Sequence, residues 1–356
     1  MKRNLSELFE KAKYFVSNLN RKDKLIIIHD SDVDGVCSAA VTIFALRKFG
    51  IKHILVVARD PEFLRKYGTK CEFSDKNIIL DLSTDLFKKD LEKIKNSKKK
   101  FLIFDHHMVW KINSKNVFYV NPRIVEKEIY LPASYLVFKF FSEFINIKEV
   151  EWIASLGTIG DYGIYDTKDL IGKYFKKKDY KDIWNSEYGK ATMVLNSAIA
   201  IIGAKKTLKI LLQMKSFEQL ERNVVFRRVY EKFEKEFRKV KNEMMKKMED
   251  YPEIGLKISI IKPKYRRIGS TLATKLGMKN KNSVLIILER FGNVYRIHGR
   301  STAPEVSVAS LFKRLGVGGG HTRSGGGTIK IKELKEFRMS LIKEIGKMRH
   351  IARKKG

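Results

Sequence analysis

KKKFLIFDHHMVW, residues 98–110, runs four apolar residues, Phe101-Leu-Ile-Phe104, straight into Asp105-His106-His107. A continuous apolar run without polar alternation reads as a strand covered on both faces. Nothing in a buried strand calls for a carboxylate and two imidazoles at its end, unless that end is a site. The same kind of run recurs at Leu25-Ile-Ile-Ile28, Ile54-Leu-Val-Val57, Ile78-Ile-Leu80 and Val117-Phe-Tyr-Val120. Helical patterns such as GVCSAAVTIFALRKFG, residues 35–50, lie between several of them. This alternation predicts an α/β fold: a mostly parallel sheet with helices on both faces.

Ligands of an open parallel sheet gather beyond the carboxyl ends of its strands. The first run leads into His29-Asp30-Ser31-Asp32-Val33-Asp34-Gly35, the third into Asp81, and the fourth into Asp105-His106-His107. Asp161 stands in GTIGDYG, residues 157–163, where flanking glycines permit a tight approach. Each aspartate alone has an ordinary explanation as a helix cap. The alternation of Asp30, Asp32 and Asp34 needs more, because in extended chain the three share a face and repel. A divalent cation removes that repulsion. Oxygen donors plus imidazole suit manganese, magnesium or iron. The donors suffice for two ions about 3.5–4 Å apart, the arrangement used for in-line attack on phosphate.

Beyond about Leu131 the strand signal stops, and the chain to Met248 reads as helical, with residues 217–248 as one long, partly solvated helix. After Tyr251-Pro252, LKISIIK, SVLIILER and GNVYRIHGRS read as strands, with a helix near Ser270–Leu276 and another over APEVSVASLFKRLG. The cluster GVGGGHTRSGGGTI and a basic helix close the chain. The boundaries predicted are residues 1–204 for the first domain, 205–250 for a helical linker and 251–356 for a smaller α/β domain. Gly318–Gly320 and Gly325–Gly327 would expose backbone N–H groups to an anion. Arg300 beside them can clamp a phosphate through two hydrogen bonds, with Ser301 adding a third. Tyr265, Phe291 and Tyr295 read as core of this domain in preference to base-stacking surfaces.

At 356 residues, 44% of them hydrophobic, the chain is long enough for two cores and excludes a disordered protein. No run reaches the roughly eighteen apolar residues of a membrane span, and the start lacks the apolar core of a signal peptide, so the expected location is cytoplasmic. Two cysteines, Cys37 and Cys71, exclude a disulfide framework or zinc ribbon and read as small core residues. The 73 basic against 40 acidic residues, formally +33, attract polyanions. Lys-rich surfaces of heat-adapted proteins give the same excess, so charge alone decides nothing.

HDSDVDG, DLS, FDHH and GTIGDYG resemble, in that order, the four motifs of the DHH phosphoesterases. IHGRST with GVGGGHTRSGGGTI resembles the glycine-rich signature of that family's second domain, DHHA1. The D-x-D-x-D-G form, YVNPR and PASYLVFKF are most similar to the RecJ-like single-strand exonucleases, including the archaeal ones. The resemblance covers roughly residues 25–165 and 255–330. It implies that Asp32, Asp34, Asp81, His106 and Asp161 ligate two Mn2+ ions, with Mg2+ the alternative and Asp81 the bridge. Asp30, at a position that varies in the family, joins them; His29 is a neighbour or a ligand. Asp105 would orient an imidazole, and His107 would face the phosphate. Arg300, Ser301, Gly319, Gly320 and His321 would hold nucleotides, the second domain closing over the metals across a cleft. Arg323 departs from the small residue expected there.

The activity implied is exonuclease action on single-stranded nucleic acid, DNA favoured over RNA, 5′→3′, releasing 5′-mononucleotides. Sibling branches instead take short RNA oligomers, 3′-phosphorylated nucleotides or dinucleotides. A third reading is a replication subunit docking to a replicative helicase complex, with residues 205–248 as the place to look for that partner. The OB-type module of longer relatives is expected to be absent, since no all-β segment is left over.

Overall fold

The computed structural model describes residues 2–83, 88–107, 112, 114–175, 180–277 and 281–353. Met108–Trp110, the end of the opening stretch, lie outside them. The chain divides into two compact units, Met1–Tyr230 and Glu231–Gly356.

The first unit is built on five parallel strands: β1 (Lys24–Asp30), β2 (His53–Arg59), β3 (Lys76–Leu80), β4 (Lys100–Phe104) and β5 (Val117–Val120). Their spatial order is β2-β1-β3-β4-β5, so the direction of winding reverses between β1 and β3. In such sheets that reversal opens the crevice where ligands bind. One face of the sheet buries Leu25, Ile27, Ile78, Leu102 and Phe104 in the larger core; the other buries Ile26, Ile28, Ile79, Phe101 and Ile103 in a smaller one. Burial on both faces is why these strands read as unbroken apolar runs.

Register then does the positioning. His29 pairs with Leu80, Leu80 with Phe104, and Phe104 with Val120. The four strands therefore end flush, and the next residue of each falls in one row: Asp30, Asp81, Asp105 and Asn121.

The helices after β5 pack onto this frame. Glu151–Gly160 nests against Val33–Lys48 and Ala133–Ser142, and the glycines of GTIGDYG explain how. A Cβ on Gly157 would come within 2.5 Å of Ser134 Oγ and 2.8 Å of Cys37 Cβ; one on Gly160 would come within 2.8 Å of Val33 Cβ. Cys37 is thus core as expected, whereas Cys71 is only half-buried. The expected single helix over 217–248 is two, Phe217–Arg222 and Val224–Lys246. Asn223 adopts extended backbone between them, and its Oδ1 accepts from Phe226 N at 3.0 Å, an N-cap that starts the second helix afresh. Leu208, Leu211, Phe217 and Leu220 belong to the first unit's core.

The second unit carries six strands: β6 (Glu249–Tyr251), β7 (Leu256–Ile261), β8 (Val284–Phe291), β9 (Val294–Ser301), β10 (Gly318–Gly320) and β11 (Ser324–Lys330). Their order is β10-β11-β9-β8-β7-β6, and only the β7–β8 pair is parallel. The helix expected over 303–316 spans Val308–Arg314, started by Ser307, whose Oγ accepts from Ser310 N. The C-terminal helix is Leu334–Arg353. Among the described residues no helix is long and apolar enough to cross a membrane.

Candidate metal centre

β1 ends in Asp30, and Asp32 then caps the helix Val33–Lys48, its Oδ1 accepting from Gly35 N at 2.9 Å. Asp34, in the first turn of that helix, is fully buried. Its two oxygens accept from Ala133 N at 2.7 Å and Ser134 N at 3.0 Å, the first amides of Ala133–Ser142. A buried carboxylate placed on a helix N-terminus satisfies otherwise orphaned donors. Burial first, then the Asp32 charge, raises Asp34 to about 7.

Asp81 leaves β3 in the left-handed region, φ 59, with its amide on Phe104 O at 2.8 Å. His106 Nε2 lies 3.1 Å from Asp81 Oδ1 and 3.3 Å from Asp161 Oδ2. Asp161 closes the helix Glu151–Gly160. Burial, reinforced by the neighbouring carboxylates, holds Asp81 and Asp161 well above the usual carboxylate range.

Among the described residues, three groups place ligand atoms within 4.8 Å of one another: Asp81–His106–His107, Asp34–His106–Asp161 and Asp30–Asp32–Asp81. All six residues expected as ligands are brought together, and Asp81 and His106 each belong to two groups. His107, expected at the phosphate, stands within ligand range of this cluster as well. His29 belongs to none of the three. It is fully buried, its Nδ1 lies 2.6 Å from the Asp30 carbonyl, and burial lowers it to about 4, so it is a neutral neighbour.

Asp105 is fully buried behind the ligands. Its Oδ1 accepts from His107 Nδ1 at 2.7 Å, while Oδ2 accepts from Tyr119 Oη at 3.0 Å and Asn121 Nδ2 at 3.4 Å. Asn121 also donates to His107 O at 3.0 Å. Burial opposes the charged form of His107, but Asp105, by charge and by hydrogen bond, outweighs it and raises His107 to about 9.

The sequence reading passed over three side chains here. Tyr119 and Asn121 were visible only as part of YVNPR, and the flush register is what carries them to Asp105. Tyr130, in the loop before Ala133–Ser142, donates to Asp161 Oδ2 at 2.7 Å and sets its ring edge-on to His106, centroids 5.1 Å apart. No local pattern marks it.

The fit to divalent cations rests on these donors. Carboxylates and imidazole nitrogens converge on one crevice, and the packing crowds carboxylates whose mutual repulsion a cation offsets.

In the second unit the glycine cluster is a hairpin, with Gly318 opposite Gly327, Gly319 opposite Gly326 and Gly320 opposite Gly325. Ladder pairing with β11 therefore occupies one side of β10 and leaves the other side of this edge strand for an anion. His321 sits in its turn, its amide on Ser324 O at 2.7 Å. Arg300 donates to Gly299 O at 2.8 Å and Thr274 Oγ1 at 2.7 Å. Ser301, the next residue on the strand, is fully buried with its hydroxyl on Ala303 O at 3.1 Å. Strand alternation turns it to the opposite face, so it does not stand beside Arg300 as expected. Tyr295 is core as expected, whereas Phe291 is 43% exposed under the Arg296 guanidinium, 3.9 Å from its ring centroid.

The sequence profile of the DHH family, N-terminal domain, matches residues 24–160. No curated protein matches the chain. RecJ from Thermus thermophilus in complex with Mn2+ superposes with a TM-score of 0.72 at 15% identity, over 96% of this chain and 55% of that one. The chain thus spans little more than half of that enzyme. A Mg2+ complex of the same enzyme also matches, with a TM-score of 0.65 at 14% identity, over 96% of this chain and 52% of that one. CDC45 from Entamoeba histolytica gives 0.58 at 10% identity over 97% and 99% of the two chains. The pGpG-specific phosphodiesterase PggH from Vibrio cholerae gives 0.51 at 15% identity over 91% and 98%. Likeness at such identities shows the fold alone. Residues 24–160 thus match the N-terminal domain of the DHH family.

Proposed function

We propose that the chain is a two-metal phosphodiesterase that removes 5′-mononucleotides from single-stranded nucleic acid, DNA in preference to RNA, in the 5′→3′ direction. The observation that carries this reading is the convergence of Asp30, Asp32, Asp34, Asp81, His106, His107 and Asp161 into three overlapping groups. Divalent cations held there, Mn2+ or Mg2+, would offset the carboxylates and withdraw charge from a bound phosphate. Asp30, Asp32, Asp34, Asp81, His106 and Asp161 would hold them, Asp81 being the carboxylate that belongs to two of the groups. Asp105 fixes the His107 ring, leaving Nε2 to carry a proton toward the leaving oxygen. In the second domain, Arg300, His321 and the backbone at Gly319 and Gly320 position the strand. The excess of 33 positive charges favours a polymer, since each phosphate neutralised releases counterions.

A smaller substrate is the second reading, supported by the fold shared with PggH over 98% of that compact enzyme. A partner in a replicative helicase complex, met along residues 205–248, is compatible with either and is supported by the fold shared with CDC45. The test is degradation of end-labelled single-stranded DNA and RNA of one sequence with Mn2+, a dinucleotide running in parallel. Asp161→Ala is the better control, because Asp34 also holds the helix Ala133–Ser142. Stepwise loss from the 5′ end, absent in the variant, supports the exonuclease. Cleavage of the dinucleotide alone selects the smaller substrate, and no cleavage of any of them overturns both.

A further inference from the structure

Beside the metal centre stands an aromatic group that the carboxylate chemistry does not use. Asp161 is followed by Tyr162, a bulky residue in the left-handed region at φ 60. Such a conformation is uncommon for a side chain of this size and persists only where its surroundings impose it. The Tyr162 ring runs nearly parallel to Trp184, 13° between planes and 6.3 Å between centroids. It also meets Tyr165 edge-on, at 68° and 6.3 Å. Tyr162 and Trp184 are half-buried against the first core.

Tyr165 differs from both: it is 49% exposed on a loop that is otherwise anchored residue by residue. Gly163 N bonds Thr158 O at 3.0 Å, and Ile164 is fully buried. Asp166 Oδ2 accepts from Tyr130 N at 2.9 Å, and Thr167 Oγ1 donates to Gly163 O at 2.5 Å. Ile164 packs this loop into the core, of which Tyr165 is not a member. What the anchors do provide is a ring held outward on rigid chain, four residues past Asp161.

We infer that Tyr165, backed by Tyr162 and Trp184, is a stacking surface for the nucleobase of the nucleotide whose phosphate lies at the Asp161 side of the metal centre. This rests on the phosphodiesterase reading above and adds what that reading lacks, a group that recognises the base. Every nucleobase has a π-face, so stacking admits all of them. Tyr165 therefore favours nucleotides over other phosphate esters without selecting among bases. A ring carried on an anchored loop has less freedom to lose when a base settles on it.

The test compares adenosine 5′-monophosphate with ribose 5-phosphate, which has the same sugar and phosphate but no base, by calorimetry on the Mn2+-loaded full chain. The wild-type protein should bind the nucleotide about tenfold more tightly. Tyr165→Ala should abolish that difference by weakening the nucleotide alone, and Tyr165→Phe should retain it. Unchanged binding of ribose 5-phosphate by Tyr165→Ala shows the variant folded and the phosphate site intact. A nucleotide preference that survives Tyr165→Ala overturns the assignment, as does equal binding of the two compounds by the wild type; in both cases the phosphate site stands. Binding of neither compound by the wild type overturns the stacking surface and the phosphodiesterase reading together.

Discussion

The first sheet and the second present opposite edges to their surroundings. At the ends of β1, β3 and β4 the chain adds functional side chains: Asp30, Asp81, Asp105 and His106 stand at the end of flush strands. Along β10 and β11 it removes side chains, so that glycine faces glycine across the hairpin. One edge is made of donors and depends on register; the other is made of bare backbone and depends on nothing protruding. A change of residue should therefore act on ligand affinity at the first edge and on stability at the second.

The largest expected effect is at His106, which touches both Asp81 and Asp161. His106→Ala should lower Mn2+ affinity by more than the roughly 100-fold that marks loss of an outer-shell partner, read by calorimetry. Circular dichroism of the metal-free variant should remain that of the wild type; a collapse of the fold there would break the comparison.

Asp105→Asn tests whether the buried row behind the ligands matters, and should lower metal affinity about 10- to 100-fold. In the metal-free protein, His107 should titrate near 9 by NMR. In the variant only the Asp161 and Asp30 charges still oppose burial, so the titration should fall from that value. The sign for stability follows. A folded pKa above the unfolded one means this pair's contribution is full below about pH 6.5 and fades as pH rises through about 9. Stability that instead grew over that interval would contradict the Asp105–His107 pair.

Two neighbouring glycines sharpen the other side. A Cβ on Gly318 would lie 2.1 Å from Gly326 O, whereas Gly319 has nothing within 4 Å of that position. Gly318→Ala should cost about 1–3 kcal/mol of unfolding free energy, and Gly319→Ala less than about 0.5 kcal/mol. Equal melting temperatures for the two variants would refute the packing argument.

The smallest effect expected on metal affinity is at Tyr130. Tyr130→Phe removes one hydroxyl from Asp161 Oδ2 and keeps the ring against His106, so Mn2+ affinity should fall about tenfold with the melting temperature nearly unchanged. No change in affinity would mean that His106 alone aligns Asp161.

Local pattern carried much of this. Apolar runs covered on both faces spelled out the parallel sheet; Asp30, Asp32, Asp34, Asp81 and His106 were legible because strand ends in an open α/β sheet converge, and Asp161, at a helix end, from the glycines around it. The second sheet was less legible. Three-residue glycine strands have no side-chain period to read, so β10 and the start of β11 gave no strand signal. Asn223 hid a helix boundary inside a continuous amphipathic pattern, since one capping hydrogen bond outweighs the propensity of the residues around it.

By itself, then, the sequence determined which residues form the parallel sheet, which carboxylates and imidazoles end its strands, and which family that order resembles. Only the tertiary structure decided that Asn121 and Tyr119 support Asp105, that Tyr130 holds Asp161, that Ser301 faces away from Arg300, and that Tyr165 projects from an anchored loop. The reason is physical. Burial and period are properties of a segment, whereas register, strand face and the meeting of distant loops are properties of pairs of segments. No single stretch of chain encodes those.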